Sequence, residues 1–147
     1  MNYKEICGDL FDHAHGRYIV HCVSADFTMG AGIAKAISYR YGFTAADVPD
    51  EIKESCVQVT RGKRGTLYQY GKILNLVTKE KHWHKPTYFT LECSLRELKE
   101  FCLSQQITAL AMPRIGCGLD RLYWPTVRSV LLDIFADTDM DILVCYL

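Results

Sequence analysis

Short apolar runs broken by turn residues alternate along the chain with segments whose apolar residues recur at helical spacing. The runs 3–7, 18–24, 56–60, 72–78, 108–115 and 141–147 have the length and β-branched content of strands. Between them, three sets of apolar residues each gather on one face of a helix. These are Ile33, Ala34, Ile37 and Tyr41; Tyr88, Leu91, Leu95, Leu98 and Cys102; and Val127, Val130, Leu131 and Ile134. Gly42 stands at a C-cap after the first helix, and Pro125 at a first-turn position of the last, where a missing N–H costs nothing. Strands alternating with helices predict a three-layer α/β/α fold around a mixed, largely parallel sheet. The chain 1–147 reads as one domain, and Arg61-Gly62-Lys63-Arg64-Gly65 as a basic hairpin turn within it.

Composition narrows the class of function. Hydrophobic residues are 49% of the 147 and charged residues 23%, an ordinary globular balance that excludes a disordered or fibrous chain. Lys+Arg and Asp+Glu are both 17, so no global positive field exists to coat a polyanion, although a local basic rim remains open. The seven cysteines are odd in number and show no C-x-x-C spacing, so free thiols in a reducing cytoplasm, or a nucleus, are expected. No stretch approaches the ~20 apolar residues of a membrane span, and the N-terminus lacks a signal-peptide core. A soluble monomer without a membrane partner is the expectation.

Two glycine-bearing loops follow predicted strands. Thr28-Met29-Gly30-Ala31-Gly32-Ile33 enters the first helix, where free N–H groups and the helix dipole suit a phosphate. A plain strand-to-helix turn explains the same residues equally well. In Met112-Pro113-Arg114-Ile115-Gly116-Cys117-Gly118-Leu119-Asp120, a strand ends in a Gly-x-Gly turn that permits close backbone approach to a ligand. Both loops would lie at the carboxyl ends of strands, where crevice ligands bind in open α/β sheets. Two such loops can clasp a diphosphate. Cys117 has no assignable His or acid partner and reads as a small packed residue rather than a nucleophile. The pairs His13/His15 and His82/His84 lack further ligands, so no metal or other cofactor is expected.

Taken in order, Gly8-Asp9-Leu10-Phe11, Met29-Gly30-Ala31-Gly32-Ile33-Ala34, Thr78-Lys79, His84-Lys85-Pro86-Thr87-Tyr88 and the run from Met112 to Leu122 resemble the macrodomain family. Within it, they resemble the branch of terminal ADP-ribose protein glycohydrolases. The resemblance implies an ADP-ribose pocket at the carboxyl edge of the sheet. Asp9 would accept from the adenine amino group, with the backbone of Leu10 beside it, although Gly-Asp after a strand is also ordinary turn chemistry. Gly30, Gly32 and Ile33, with Pro113, Arg114, Ile115, Gly116, Cys117, Gly118 and Leu119, would hold the diphosphate. Ser24 would lie near the distal ribose, Thr78 would be among the substrate-binding residues, and Leu147 would border the pocket.

The resemblance also implies a mechanism. Many macrodomains carry an Asn-rich motif where this chain has Ser24-Ala25-Asp26. The glycohydrolase branch shares this departure and is expected to work through a lysine and an aspartate, here Lys79 and Asp120. A lysine amine can attack the anomeric carbon, or its ring-opened aldehyde, to give a Schiff base, while a carboxylate shuttles the proton. Lys79 must be neutral to attack, which partial burial or a nearby cation, Lys81 or Lys85, would favour. An arbitrary lysine in Lys79-Glu80-Lys81-His82-Trp83-His84-Lys85 would otherwise be a solvated charge, and Asp120 a helix-start carboxylate. The implied activity is removal of mono-ADP-ribose from protein carboxylates, with deacetylation of O-acetyl-ADP-ribose as a side reaction. Two alternatives stand beside it. One is a non-catalytic ADP-ribose reader; the other is a hydrolase of ADP-ribosylated nucleic-acid bases, with Arg61, Lys63, Arg64, Lys81 and Lys85 as a phosphate rim.

Overall fold

A computed structural model describes residues 1–147. The elements run β1 (Asn2–Cys7), α1 (Leu10–His13), β2 (Tyr18–Ser24), α2 (Gly32–Tyr41), a single 3-10 turn (Ala45–Asp47), α3 (Asp50–Arg61), β3 (Thr66–Tyr70), β4 (Ile73–Lys79), α4 (Tyr88–Gln105), β5 (Ala109–Met112), α5 (Trp124–Phe135) and β6 (Asp141–Tyr146). The strands form one mixed sheet in the order β1-β6-β5-β2-β4-β3. Every neighbouring pair is parallel except the β3–β4 hairpin.

Successive strand residues point to opposite faces, and the packing follows that alternation. Val20, Leu74 and Leu76 meet Leu91, Leu95 and Leu98 of α4 and Val127 and Leu131 of α5. On the other face, Ile19 and Ile73 pack with Leu10 and Ile37, while Val23 and Val77 pack with Phe27, Phe43 and Cys56. The result is the expected three-layer α/β/α sandwich. Gly42 takes the left-handed conformation that ends α2, and Pro125 sits in the first turn of α5.

The segment 56–60 is helix, the second half of α3, and not the strand its length and β-branched content predict. Pro49 with Asp50 and Glu51 opens this helix, and Ile52 and Cys56, four residues apart, turn into the core. A five-residue window is too short to reveal that period. Arg61–Gly65 is not a hairpin turn either; it joins the end of α3 to β3, and the hairpin lies at Gly71-Lys72. Gly65 is set so close to α4 that a Cβ would lie 2.1 Å from both the Ser94 hydroxyl and the Thr90 carbonyl. β5 stops at Met112, since Pro113 offers no N–H to extend the ladder.

The two central strands carry an irregularity at their carboxyl end and a polar cluster beneath it. β2 pairs with β4 in even register from Ile19↔Ile73 to Val23↔Val77, and then Ser24 pairs with Lys79, leaving Thr78 as an extra residue. Below this bulge, the fully buried His21 ring bonds Asn75 Oδ1 at 2.6 Å, and Asn75 Nδ2 donates to the Tyr68 carbonyl at 2.9 Å. Burial pushes the His21 ring down to about 4 against the opposing pull of that Asn75 bond.

Candidate active site

β4 delivers Lys79 to the carboxyl edge of the sheet, and the loop between β5 and α5 delivers Asp120 to the same point. Lys79 Nζ donates to Asp120 Oδ1 at 2.5 Å, and the two side chains are only 12% and 14% exposed. Neither has another side-chain partner. The charge beside Lys79 is therefore a carboxylate and not a second cation, because Lys85 reaches instead to the Leu119 carbonyl at 2.6 Å.

The loop carrying Asp120 is held on every side. Leu122 N donates to the Gly116 carbonyl at 2.7 Å, and Tyr123 N to the Tyr88 hydroxyl at 3.0 Å. Gly116 has φ 72°, and a Cβ there would stand 3.0 Å from Leu122 and 3.4 Å from Leu91, so only glycine fits. Gly118 is different. A Cβ there would meet nothing within 4 Å, so the protein itself leaves that space open.

Arg114 is engaged by residues of β1 and β6. Its guanidinium lies 4.0 Å above the Tyr146 ring and donates to Glu5 Oε1 at 3.3 Å. Glu5 also accepts from Trp124 Nε1 at 3.1 Å, Arg128 at 3.0 Å and the Tyr3 hydroxyl at 2.8 Å. Burial alone would raise the Glu5 carboxyl, but the bonds from Arg128, Tyr3 and Trp124 hold it below its ordinary value.

The first glycine loop begins at Ser24, which is buried and donates its hydroxyl to Asp26. Asp26 then gathers Thr28 N at 3.1 Å and, from the loop after Lys79, His82 N at 3.3 Å and the His82 ring Nδ1 at 3.2 Å. Burial pushes the Asp26 carboxyl up, yet the bonds from Ser24, Thr28 and His82 outweigh it and leave the group below its ordinary value. Asp26 thus ties the glycine loop to the lysine loop. In sequence this residue registers only as a departure from an asparagine motif; the Asp-x-Thr turn is the available signal. At Gly30 a Cβ would also meet nothing, and no side chain caps the N-terminus of α2 at Ala31.

The remaining expected residues fall into groups. Thr78 and Ile115 are buried beneath the site, Thr78 with its hydroxyl unpartnered. Leu10 is buried behind Asp9, while Gly32, Ile33, Pro113 and Leu119 lie along the two loops. Asp9 caps α1, accepting from Phe11 N at 2.9 Å, and lines a groove of about 560 Å³ with Phe11, Ala36, Tyr39 and Arg40. Leu147 is 97% exposed beyond the end of β6. Burial pushes the Cys117 thiol up to about 11, with Asp120 adding to and Arg114 opposing the shift, so it is protonated at neutral pH. Cys22, which no sequence pattern places here, is pushed up too, by burial first and then by Asp120.

The macro domain model matches residues 20–131, which takes in both glycine loops, Lys79 and Asp120. The chain belongs to the macro domain family. Its sequence is 42% identical over 137 residues to ADP-ribose glycohydrolase OARD1 of Bos taurus, covering 93% of this chain and 86% of that one. Among solved structures, the macrodomain of Thermus aquaticus DarG superposes with a TM-score of 0.79 at 20% identity, covering 99% of this chain and 97% of that one. Thermosipho africanus DarTG in complex with ADP-ribose gives 0.77 at 20% identity, covering 98% of this macrodomain and 41% of the larger chain.

Proposed function

We propose that this macrodomain is a hydrolase that binds ADP-ribose and releases it from mono-ADP-ribosylated protein carboxylates. The observation that carries the reading is the 2.5 Å contact between Lys79 and Asp120, two ionic groups far apart in sequence and nearly enclosed together. A reader module has no need of an amine and a carboxylate so placed. The 42% identical relative is itself named an ADP-ribose glycohydrolase, which supports hydrolysis over reading alone. The open space at Gly30 and Gly118 and the side-chain-free N-terminus of α2 suit a diphosphate held by backbone N–H groups. The groove at Asp9 suits adenine, the second carboxylate oxygen being free of the bond to Phe11.

In this reading, Asp120 takes the proton from Lys79, and the freed amine bonds to the anomeric carbon. The C–O bond to the substrate carboxylate breaks, its electron pair leaving with the carboxylate. The ribose ring opens to give an imine, water adds across it, and ADP-ribose departs with the amine restored. One water is consumed per turnover, and Asp120 returns the proton. The test is a panel of ADP-ribosylated glutamyl peptide, seryl peptide, single-stranded oligonucleotide and O-acetyl-ADP-ribose, scored for free ADP-ribose. Release from the glutamyl peptide is expected to be fastest. Binding of ADP-ribose without release from any member would leave only the reader.

A further inference from the structure

Ten large apolar side chains are exposed on the molecule, and five of them, Trp83, Tyr88, Phe89, Leu119 and Tyr123, lie on the two segments that carry Lys79 and Asp120. They are not on floppy ends. Trp83, 64% exposed, stands edge-on between the rings of His82 at 4.8 Å and His84 at 5.7 Å. Its loop is fixed on one side by His82 to Asp26, internally by His84 N to the Lys81 carbonyl at 3.0 Å, and on the other side by Lys85 to Leu119. Tyr88 is joined to Tyr123. An aromatic group pinned in water costs little further ordering when it binds, which is the property of an interface anchor.

Resting on the hydrolase reading, we propose that this collar docks the polypeptide on the leaving side of the substrate and selects modified carboxylates with an apolar or aromatic residue close by in sequence. With the adenine end at Asp9 and the anomeric carbon at Lys79, the acceptor emerges between the loops after Lys79 and before α5, and Trp83 lies there. A nucleic-acid strand fits less well. Of the five cations of the rim, two are already engaged, Arg61 by Glu80 at 2.5 Å and Lys85 by a carbonyl, whereas the large side chains left exposed on the collar are apolar or aromatic.

The experiment compares two mono-ADP-ribosylated glutamyl peptides of equal length, one with Leu and Phe flanking the modified residue and one with Gly. Wild-type protein should favour the apolar peptide by about tenfold in kcat/KM, expressed in KM. In Trp83→Ala that ratio should fall to about one, while Trp83→Phe keeps most of it and the affinity for free ADP-ribose stays unchanged. Acrylamide quenching of Trp83, read against the buried Trp124, should be relieved by the apolar peptide and not by ADP-ribose. Equal turnover of both peptides by the wild type, or a ratio that survives Trp83→Ala, overturns the collar and leaves the hydrolase standing. No turnover of either peptide overturns the hydrolase reading itself. Faster turnover of an ADP-ribosylated oligonucleotide, lost in Trp83→Ala, transfers the collar to nucleic acid and overturns the polypeptide assignment.

Discussion

Glu5 and Asp120 are carboxylates of similar burial, 17% and 14% exposed, each paired with a basic side chain near the carboxyl edge of the same sheet. Glu5 accepts from four side chains, Tyr3, Arg114, Trp124 and Arg128. Asp120 accepts from Lys79 alone. A carboxylate whose lone pairs are all taken is fixed in one ionic state and serves the architecture. One with a single partner that can itself give up a proton retains the capacity to exchange it. The difference sets the structural ion cluster apart from the pair proposed to react better than burial or charge does.

The largest effect that can break this contrast is on turnover. Lys79→Ala should lower hydrolysis by at least about 10³-fold while ADP-ribose affinity stays within a few-fold, since an amine in the proposed role acts in the transition state. Asp120→Ala should do the same to turnover, and borohydride added during reaction should leave a secondary amine on Lys79, located by peptide mass spectrometry. A Lys79→Ala protein with wild-type rates would make Asp120 a simple water activator. Glu5→Ala belongs on the other side of the contrast. It leaves the buried Trp124 Nε1 without its acceptor and should cost about 2 kcal/mol in urea unfolding, with turnover per folded molecule within about threefold. Lost turnover at undiminished stability would erase the distinction.

Acid sharpens the contrast through a third buried group. The His21 ring stays neutral in the fold down to about pH 4 but takes a proton near 6.5 in the unfolded chain. Between those values the unfolded state binds more protons, so stability falls with pH across that window, by about 3 kcal/mol for this group. Glu5, held below its ordinary value, gives up its contribution only as pH falls below about 4.5. Urea unfolding at pH 7.5, 5.5 and 4.5 should therefore show the loss already under way at 5.5, and His21→Gln should flatten it. A flat wild-type profile down to pH 5 would contradict the burial of a neutral ring. The smallest effect is expected at Asp26. Asp26→Asn should reduce kcat about fivefold with little change in KM, and His82→Ala should add almost nothing to it, because both cut the same tie between loops. Fully additive losses would mean that Asp26 does not act through His82.

The layers were legible in sequence because the long helices α4 and α5 repeat their apolar faces over three or more turns, and because Gly42 and Pro125 mark helix ends with specific chemistry. The residues 56–60 were not, since a helix sampled over little more than one turn cannot be told from an alternating strand. Lys79 and Asp120 were legible only through a family likeness. No local pattern relates residues 41 apart, and it is the sheet order that brings β4 and the end of β5 to one edge on either side of β2. The bond from Arg114 to Glu5 was hidden for the same reason, since Glu5 lies on the first strand, 109 residues away. Asp26 shows the reverse case: its role was written in a short turn, but its second partner, His82, arrives from another loop.

The extra residue at Thr78 gives the site an unusual kind of fragility. Side chains on a strand obey a parity rule, and the step from Val23↔Val77 to Ser24↔Lys79 changes that parity one position before the amine. Were the ladder to run on evenly with Thr78 kept, Ser24 would pair with Thr78, and the amine would fall at the neighbouring position of the edge with every hydrophobic contact below it intact. The fold would hardly register the change. Where the amine stands is thus set by a slip in the ladder as much as by the residue that carries it.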